Sequence, residues 1–238
     1  MKVIKFGGSS LANSQQIKKV FQIVQADSDR RIVVVSAPGK RHSDDEKVTD
    51  LLIQLATSQI EGQYNEAVLE VILERYQEIY DELQLTSNVM DNIRQHFATL
   101  KESELEPDYL IDAYKASGED NNAKLIADYF TKEGLSAKCI SPKEANLFVS
   151  DTPGNAQVLE EAYKELEYLQ LEKEIIVFPG FFGVTKDGKV VTFSRGGSDI
   201  TGSILANAVS AEEYENFTDV DAIFVASPKL VHKPLGID

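Results

Sequence analysis

Apolar and polar residues alternate along this chain in two rhythms, and the order of those rhythms sets the fold class. Val3, Ile4 and Phe6 mark an extended run over residues 2 to 6, and Ile17, Val20, Phe21 and Val24 then recur at i, i+3, i+4 and i+7. Gly7-Gly8-Ser9-Ser10 stands between them, so the pattern predicts strand, glycine loop and amphipathic helix. In the segment from Arg31 to Ala37, Ile32-Val33-Val34-Val35 is a continuous β-branched run bounded by Pro38-Gly39, the form of a strand buried on both faces. Strand, helix and strand in that order predict a βαβ unit and a parallel sheet.

From Val48 to Leu100 the periodicity is helical, with Leu51, Leu52 and Leu55 in one element and Val68, Val71, Ile72, Tyr76 and Ile79 in the next. Ser117-Gly118-Glu119 reads as a turn, followed by a helix on Leu125, Ile126, Tyr129 and Phe130 that Gly134 is placed to end. Strands are expected near 136–140 and 146–150, and a helix over about 155–171. Glu174 to Phe178 and Lys189 to Phe193 read as strands flanking a turn region from Gly180 to Gly188. The loop at Arg195 opens a helix carrying Ile204, Leu205 and Val209, and Tyr214–Phe217 and Ala222–Val225 are strand-like. The alternation predicts an α/β fold, a three-layer α/β/α sandwich with a mainly parallel central sheet, as one domain over residues 1–238.

Composition and charge narrow the function classes. A hydrophobic content of 42% suffices for a large core, and a net charge of −15 opposes partners that need clustered Lys and Arg, so neither nucleic acid nor an anionic membrane is expected. No apolar run approaches the roughly 20 residues of a membrane span, and the first residues lack the pattern of a secretory signal. A cytoplasmic protein is the expectation, and assembly as a homo-oligomer is compatible with it. The lone Cys139 cannot form an internal disulfide and reads as part of a buried strand.

Against this acidic background, two basic residues lie in glycine-rich loops. In Lys5-Phe6-Gly7-Gly8-Ser9-Ser10, a Lys ending a buried strand precedes two glycines that let backbone N–H groups approach an anion closely. Neither a Walker A loop nor a G-x-G-x-x-G fingerprint is present there. The second loop, Phe193-Ser194-Arg195-Gly196-Gly197-Ser198-Asp199-Ile200-Thr201-Gly202, also follows a strand and opens a helix. Its helix N-terminus would face the same C-terminal sheet edge, where open α/β folds bind ligands. Ser198 or Asp199 could also serve simply as a helix cap.

These loops, together with Val48-Thr49-Asp50-Leu51-Leu52, Ser117-Gly118-Glu119 and Thr218-Asp219-Val220-Asp221, resemble the signature set of aspartate kinases, within the amino acid kinase superfamily. The resemblance implies transfer of the ATP γ-phosphate to the side-chain carboxylate of L-aspartate, giving 4-phospho-L-aspartate for lysine, threonine and methionine synthesis. It places Lys5, Gly7, Gly8, Ser9 and Asp199 around the phosphates, with Lys5 and Asp199 catalytic. Ser36, Thr49, Glu119, Phe181, Arg195 and Ser198 would surround aspartate, and Thr218, Asp219, Phe224 and Lys229 would line the nucleotide side. ATP and Mg2+ are the implied cofactors.

The chemistry fits those roles. A carboxylate acceptor with a pKa near 4 is ionised at neutral pH and needs no general base, which leaves positioning and charge neutralisation. Arg195 can clamp the α-carboxylate, Glu119 can pair with the α-ammonium, Lys5 offers a point charge, and Mg2+ bridges ATP oxygens. The nucleotide-side strand departs from the family's usual T-D-V-x-G-I-Y-x-x-D-P-R: Phe224 lacks the hydroxyl, Ser227 replaces an acid and Lys229 an Arg. The resemblance further implies a truncated catalytic domain, ending at Asp238 ahead of the helical segment that completes the nucleotide pocket and of regulatory ACT domains, with weakened ATP binding. Alternatives are another kinase of the superfamily, acting on glutamate or N-acetylglutamate, and a catalytically silent binding domain.

Overall fold

The computed structural model describes residues 1–194 and 196–217, with the backbone of Ile223–Phe224 and Gly236–Ile237. Its centre is a five-stranded sheet made of β1 (Lys2–Phe6), β2 (Arg30–Val35), β3 (Ala137–Cys139), β4 (Ile175–Pro179) and, at the far edge, Glu213–Phe217. The spatial order is β3, β4, β2, β1 and then the Glu213–Phe217 strand, and every pairing is parallel. Val33 to Val35 are fully buried, as a strand covered on both faces requires.

The pleat sorts the side chains into two cores. Ile4, Phe6, Val33, Val35 and Val177 face one layer, while Val3, Ile32, Val34, Ile176 and Phe178 face the other. The first layer holds α1 (Ser14–Gln25), α2 (Val48–Ile60), α3 (Glu66–Glu82), α4 (Val89–Lys101) and α5 (Pro107–Lys132). Asn13 caps α1 by accepting the Gln16 N–H, and Ile17, Val20, Phe21 and Val24 form its buried stripe, as the sequence pattern predicts. The second layer holds α6 (Glu160–Leu166), a hairpin of β5 (Phe182–Val184) and β6 (Val190–Thr192), and α7 (Gly197–Ala208). The edge strand Glu213–Phe217 is β7. Lys5 shares the parity of Val3 and therefore points toward α7.

Several local expectations are corrected. The helical insertion contains three helices, α2 to α4, and Val71 lies on the outer face of α3 with 44% exposure. Residues 146–150 make only isolated bridges, Phe148 to Val184 and Val149 to Val158. The helix expected from 155 begins at Glu160 and continues as a 3-10 turn over Glu167–Leu171, and the region from 180 to 188 contains strand β5. Cys139 lies on β3 as a free, half-buried thiol, pushed up to about 12 by burial.

The most instructive correction concerns Ser117-Gly118-Glu119, which is not a turn but the interior of α5. The helix is wedged between α2 and α4 on one side and the sheet on the other, so nearly its whole middle is buried. Gly118 is there for close approach: a Cβ would stand 2.8 Å from Ala37 Cβ and 3.0 Å from Leu52 Cδ1. Tyr76 on α3 also donates to the Gly118 carbonyl at 3.0 Å. Farther up α5, Asp112 accepts from the Gly154 and Thr192 N–H groups, the Thr192 hydroxyl and Lys115 Nζ, all within 2.8 Å, tying the β5–β6 hairpin to the helix.

Gly118→Ala tests this packing. Alanine gains about 1 kcal/mol of helix propensity, but overpacking costs about 1–3 kcal/mol. The substitution is expected to destabilise, read as a fall in the urea midpoint; a rise would show that α5 has room to shift.

Candidate active site

The C-terminal ends of β1, β2 and β4 open onto one place, because all point the same way in the parallel sheet. After β1 the chain turns at Gly7 into a short 3-10 helix, Gly8–Leu11, with the Ser10 N–H bonded to the Gly7 carbonyl. Gly7 N–H is held by Phe217 O, and Ser9 is exposed. Lys5 is 7% exposed, its Nζ 2.8 Å from Asp199 Oδ1 in the first turn of α7. Asn216, the register partner of Lys5 on β7, donates to the same Asp199 oxygen at 3.0 Å. A buried ammonium therefore stands beside a glycine loop, with its carboxylate partner on the rim of the cleft.

A second cluster lies beyond β2. Ser36 Oγ donates to Ser198 Oγ at 3.0 Å, and Asn122 Nδ2 on α5 donates to the Ser36 carbonyl at 2.7 Å. Gly180, after β4, has no space for a side chain, since a Cβ would come within 2.8 Å of Ser198. Phe181 adopts φ 78°, a strained conformation for an aromatic residue. It is held there by three bonds: its N–H donates to Thr201 Oγ1 at 3.0 Å, Thr201 Oγ1 donates to Gly197 O at 2.9 Å, and Phe193 N–H donates to Phe181 O at 2.8 Å. Lys115 Nζ lies 5.5 Å from the Phe181 ring. Thr49 is half-buried in the first turn of α2, joined to the cluster through the Val48 N–H to Pro38 carbonyl bond.

Glu119 is the least satisfied group in this cluster. It is 5% exposed, and among the described residues its buried Oε2 has no hydrogen-bond partner. Burial pushes its carboxyl up to about 8, against the opposing effects of the Ala37 and its own backbone N–H groups and of the Lys115 charge. Among the described residues, the site thus holds a carboxylic acid whose free oxygen lacks a cation.

The structure brings Lys5, Gly7, Gly8, Ser36, Glu119, Phe181, Ser198 and Asp199 to one sheet edge. Arg195, Thr218, Asp219, Lys229 and the side chain of Phe224 lie outside the described residues. Phe224 belongs by its backbone to a two-residue strand, Ile223–Phe224, antiparallel to Gly236–Ile237. Sequence reading missed Asn122, Asn216 and Thr201. Asn122 is three residues after Glu119 and becomes visible once that segment is read as helix; Asn216 follows from strand register with Lys5, which only the fold supplies.

The raised Glu119 carboxyl gives a signed pH prediction. Between its unfolded value near 4.3 and its folded value of about 8, the folded chain keeps a proton that the unfolded chain releases, so this group lowers stability as pH rises through that window. Glu119→Gln removes the effect. Its melting temperature relative to the parent is expected to climb by at least about 2–4 °C from pH 5 to pH 8; a pH-independent difference would place the free oxygen in water.

A model of the amino acid kinase family matches residues 1–235. Aspartokinase 3 of Bacillus subtilis strain 168 is 54% identical over 238 residues, covering 100% of this chain and 52% of that protein. Among solved structures, the aspartate kinase of Clostridium acetobutylicum superposes with a TM-score of 0.79 at 35% identity, covering 98% of this chain and 51% of that one. Aspartokinase III of E. coli, in complex with aspartate and ADP, superposes with a TM-score of 0.80 at 26% identity, covering 100% of this chain and 53% of its own. The chain spans about half the length of these relatives. Paired glycine loops on one edge of a parallel sheet, a buried lysine between them and a family match over nearly all residues have one common account: the chain belongs to the amino acid kinase family.

Proposed function

We propose that this chain is the catalytic domain, over residues 1–238, of an aspartate kinase, transferring the ATP γ-phosphoryl group to the side-chain carboxylate of L-aspartate. The observation that carries the reading is the buried Glu119 carboxyl, whose Oε2 has no partner among the described residues, on the helix that also bonds Ser36 through Asn122, while Ser36 bonds Ser198 beside the Lys5–Asp199 ion pair. An amino-acid acceptor supplies the missing cation through its α-ammonium, whereas an N-acetylated acceptor has none. The similarity to proteins named aspartokinase, one of them in complex with aspartate and ADP, supports the same substrates.

In this reaction one oxygen of the acceptor carboxylate attacks the γ-phosphorus, the bond to the β,γ-bridging oxygen breaks, and ADP leaves. The product is the mixed anhydride 4-phospho-L-aspartate, which fits a first step toward lysine, threonine and methionine. No proton needs to be removed from the acceptor. The chain's part is to hold both substrates and balance charge: Gly7 and Gly8 allow close backbone approach, Lys5 neutralises oxygens of the transferring group, and Ser36, Thr49, Ser198, Phe181 and Arg195 form the acceptor pocket. Mg2+, when brought with ATP, would neutralise phosphate charge, and Asp199, half-exposed beside Lys5, is a carboxylate that would help to hold it. Thr218, Asp219, Phe224 and Lys229 belong to the nucleotide side. Among the described residues no helix is long and apolar enough to cross a membrane; the proposed use of ATP and free aspartate supports a cytoplasmic reaction.

A hydroxamate assay with aspartate, glutamate and N-acetylglutamate as acceptors tests the reading, with turnover expected on aspartate alone. Turnover on another acceptor would reassign the substrate, and none on any would leave a silent binding domain. Lys5→Ala is expected to lower kcat by at least about 100-fold, since the ammonium acts where charge develops; near-normal kcat would remove Lys5 from the chemistry.

Aspartate binding should also be linked to a proton. Pairing with an ammonium favours ionised Glu119, so binding at pH 7 releases a proton held by a group at about 8, and affinity rises from pH 6 to pH 8. Calorimetry in buffers of different ionisation enthalpy reads this directly. Proton-neutral binding would show that the ammonium is held elsewhere.

A further inference from the structure

Among the described residues outside the cleft, one buried cation has no part in the chemistry above. Arg75 on α3 is 2% exposed. Its guanidinium donates to the Gly39 carbonyl at 2.7 Å and the Glu46 carbonyl at 3.1 Å, and lies 3.0 Å from Asp45 Oδ2, while its Nε has no partner among the described residues. Burying a cation is unfavourable unless it is paired, and a methionine or leucine could fill the same space on α3. What distinguishes arginine is a planar fork able to hold two carbonyls and a carboxylate at once.

The carbonyl it holds most closely belongs to the residue that backs the first glycine loop. Gly39 N–H donates to Gly8 O at 2.9 Å. A Cβ on Gly39 would stand 2.6 Å from Gly8 C and 2.9 Å from Ser9 N, and a Cβ on Gly8 would stand 2.9 Å from Ala37 O. The two glycines pack backbone to backbone. The segment from Ser36 to Lys47, between β2 and α2, has neither helix nor strand to stiffen it. Asp45 is held again by Arg41, whose Nε lies 3.0 Å from its Oδ2, and Arg41 reaches Glu78 on α3 at 2.7 Å. That outer network is partly exposed and screened by solvent; Arg75 is its buried centre.

We propose that Arg75 is a positioning residue for phosphoryl transfer: from the helical insertion it fixes Gly39, and through Gly39 it sets the Gly7-Gly8 loop against which the nucleotide phosphates bind. The proposal rests on the kinase reading for its functional half, and on geometry alone for its structural half. Arg75 touches no substrate and acts entirely through the loop.

The test compares this chain with Arg75→Ala and Arg75→Lys, each first checked for folding by circular dichroism. Three measurements are made: amide-resolved hydrogen exchange at Gly39, ADP affinity by calorimetry, and steady-state kinetics. In Arg75→Ala the Gly39 amide is expected to exchange at least about tenfold faster, with ADP affinity and kcat falling at least about tenfold and aspartate KM within about threefold. Ethylguanidinium, which fits the vacated space, should restore part of each loss, and Arg75→Lys should resemble alanine because an ammonium lacks the fork. Unchanged Gly39 protection, a loss confined to aspartate KM, or a loss that ethylguanidinium does not relieve would overturn the proposal. If Arg75→Ala does not fold, Arg75→Lys decides it by the same measurements. Should the parent neither bind ADP nor phosphorylate aspartate, the kinase reading fails, while Gly39 exchange still decides whether Arg75 anchors the loop.

Discussion

The structure depends most on the absence of side-chain volume around one short segment, Ser36 to Gly39, where the chain leaves β2. Gly8 approaches it from the first glycine loop, Gly118 from the middle of α5, and Gly180 borders the Ser198 that bonds Ser36. At each of these positions a Cβ would come within 3.0 Å of a neighbour. Protein interiors tolerate few adjustments of that size. Two loops nearly 190 residues apart in sequence are therefore brought onto one sheet edge by contacts that only glycine permits. The parallel sheet supplies the direction, since β1, β2 and β4 all end there.

Charge divides the site into two halves with different logic. Lys5 is buried but has its counter-ion within the protein, in Asp199, with Asn216 holding the same carboxylate. That half is charge-balanced within the protein, which on the kinase reading suits a group whose task is to stabilise charge without rearranging. Glu119 is buried without a counter-ion among the described residues, and desolvation pushes its carboxyl up to about 8. On the kinase reading its partner arrives with the acceptor, so the acceptor half completes itself only on binding. An overall charge of −15 makes the contrast sharper, because the field of the whole chain disfavours a second free carboxylate near a nucleotide.

Much of this was legible in the sequence, and the failures share a cause. The β-branched run Ile32–Val35 and the stripe of α1 could be read because burial on a sheet or a helix face leaves a periodic trace. Gly118 was misread as a turn because glycine marks both turns and close approach; the two are separated only by what packs against it, here Ala37 and Leu52 from elements 66 or more residues away. Phe181 shows the opposite limit. Its left-handed backbone is imposed by Thr201, Gly197 and Phe193, and no local preference of an aromatic residue announces it. Asn216 depends on strand register, which pattern alone leaves undetermined.

The helical insertion is then more than a cover for the sheet. Arg75 and Tyr76 are successive residues on α3, so their side chains leave the helix about 100° apart. One holds the Gly39 carbonyl and the other the Gly118 carbonyl. Gly39 backs the Gly7-Gly8 loop, and Gly118 seats the helix that carries Glu119 against Ala37. A single turn of α3 thus bonds both to Gly39 and to the helix packed on Ala37, which on the kinase reading are the nucleotide and acceptor sides. Moving α3 would shift both together, and on the kinase reading that couples the two halves of the cleft as a transfer between two bound substrates requires.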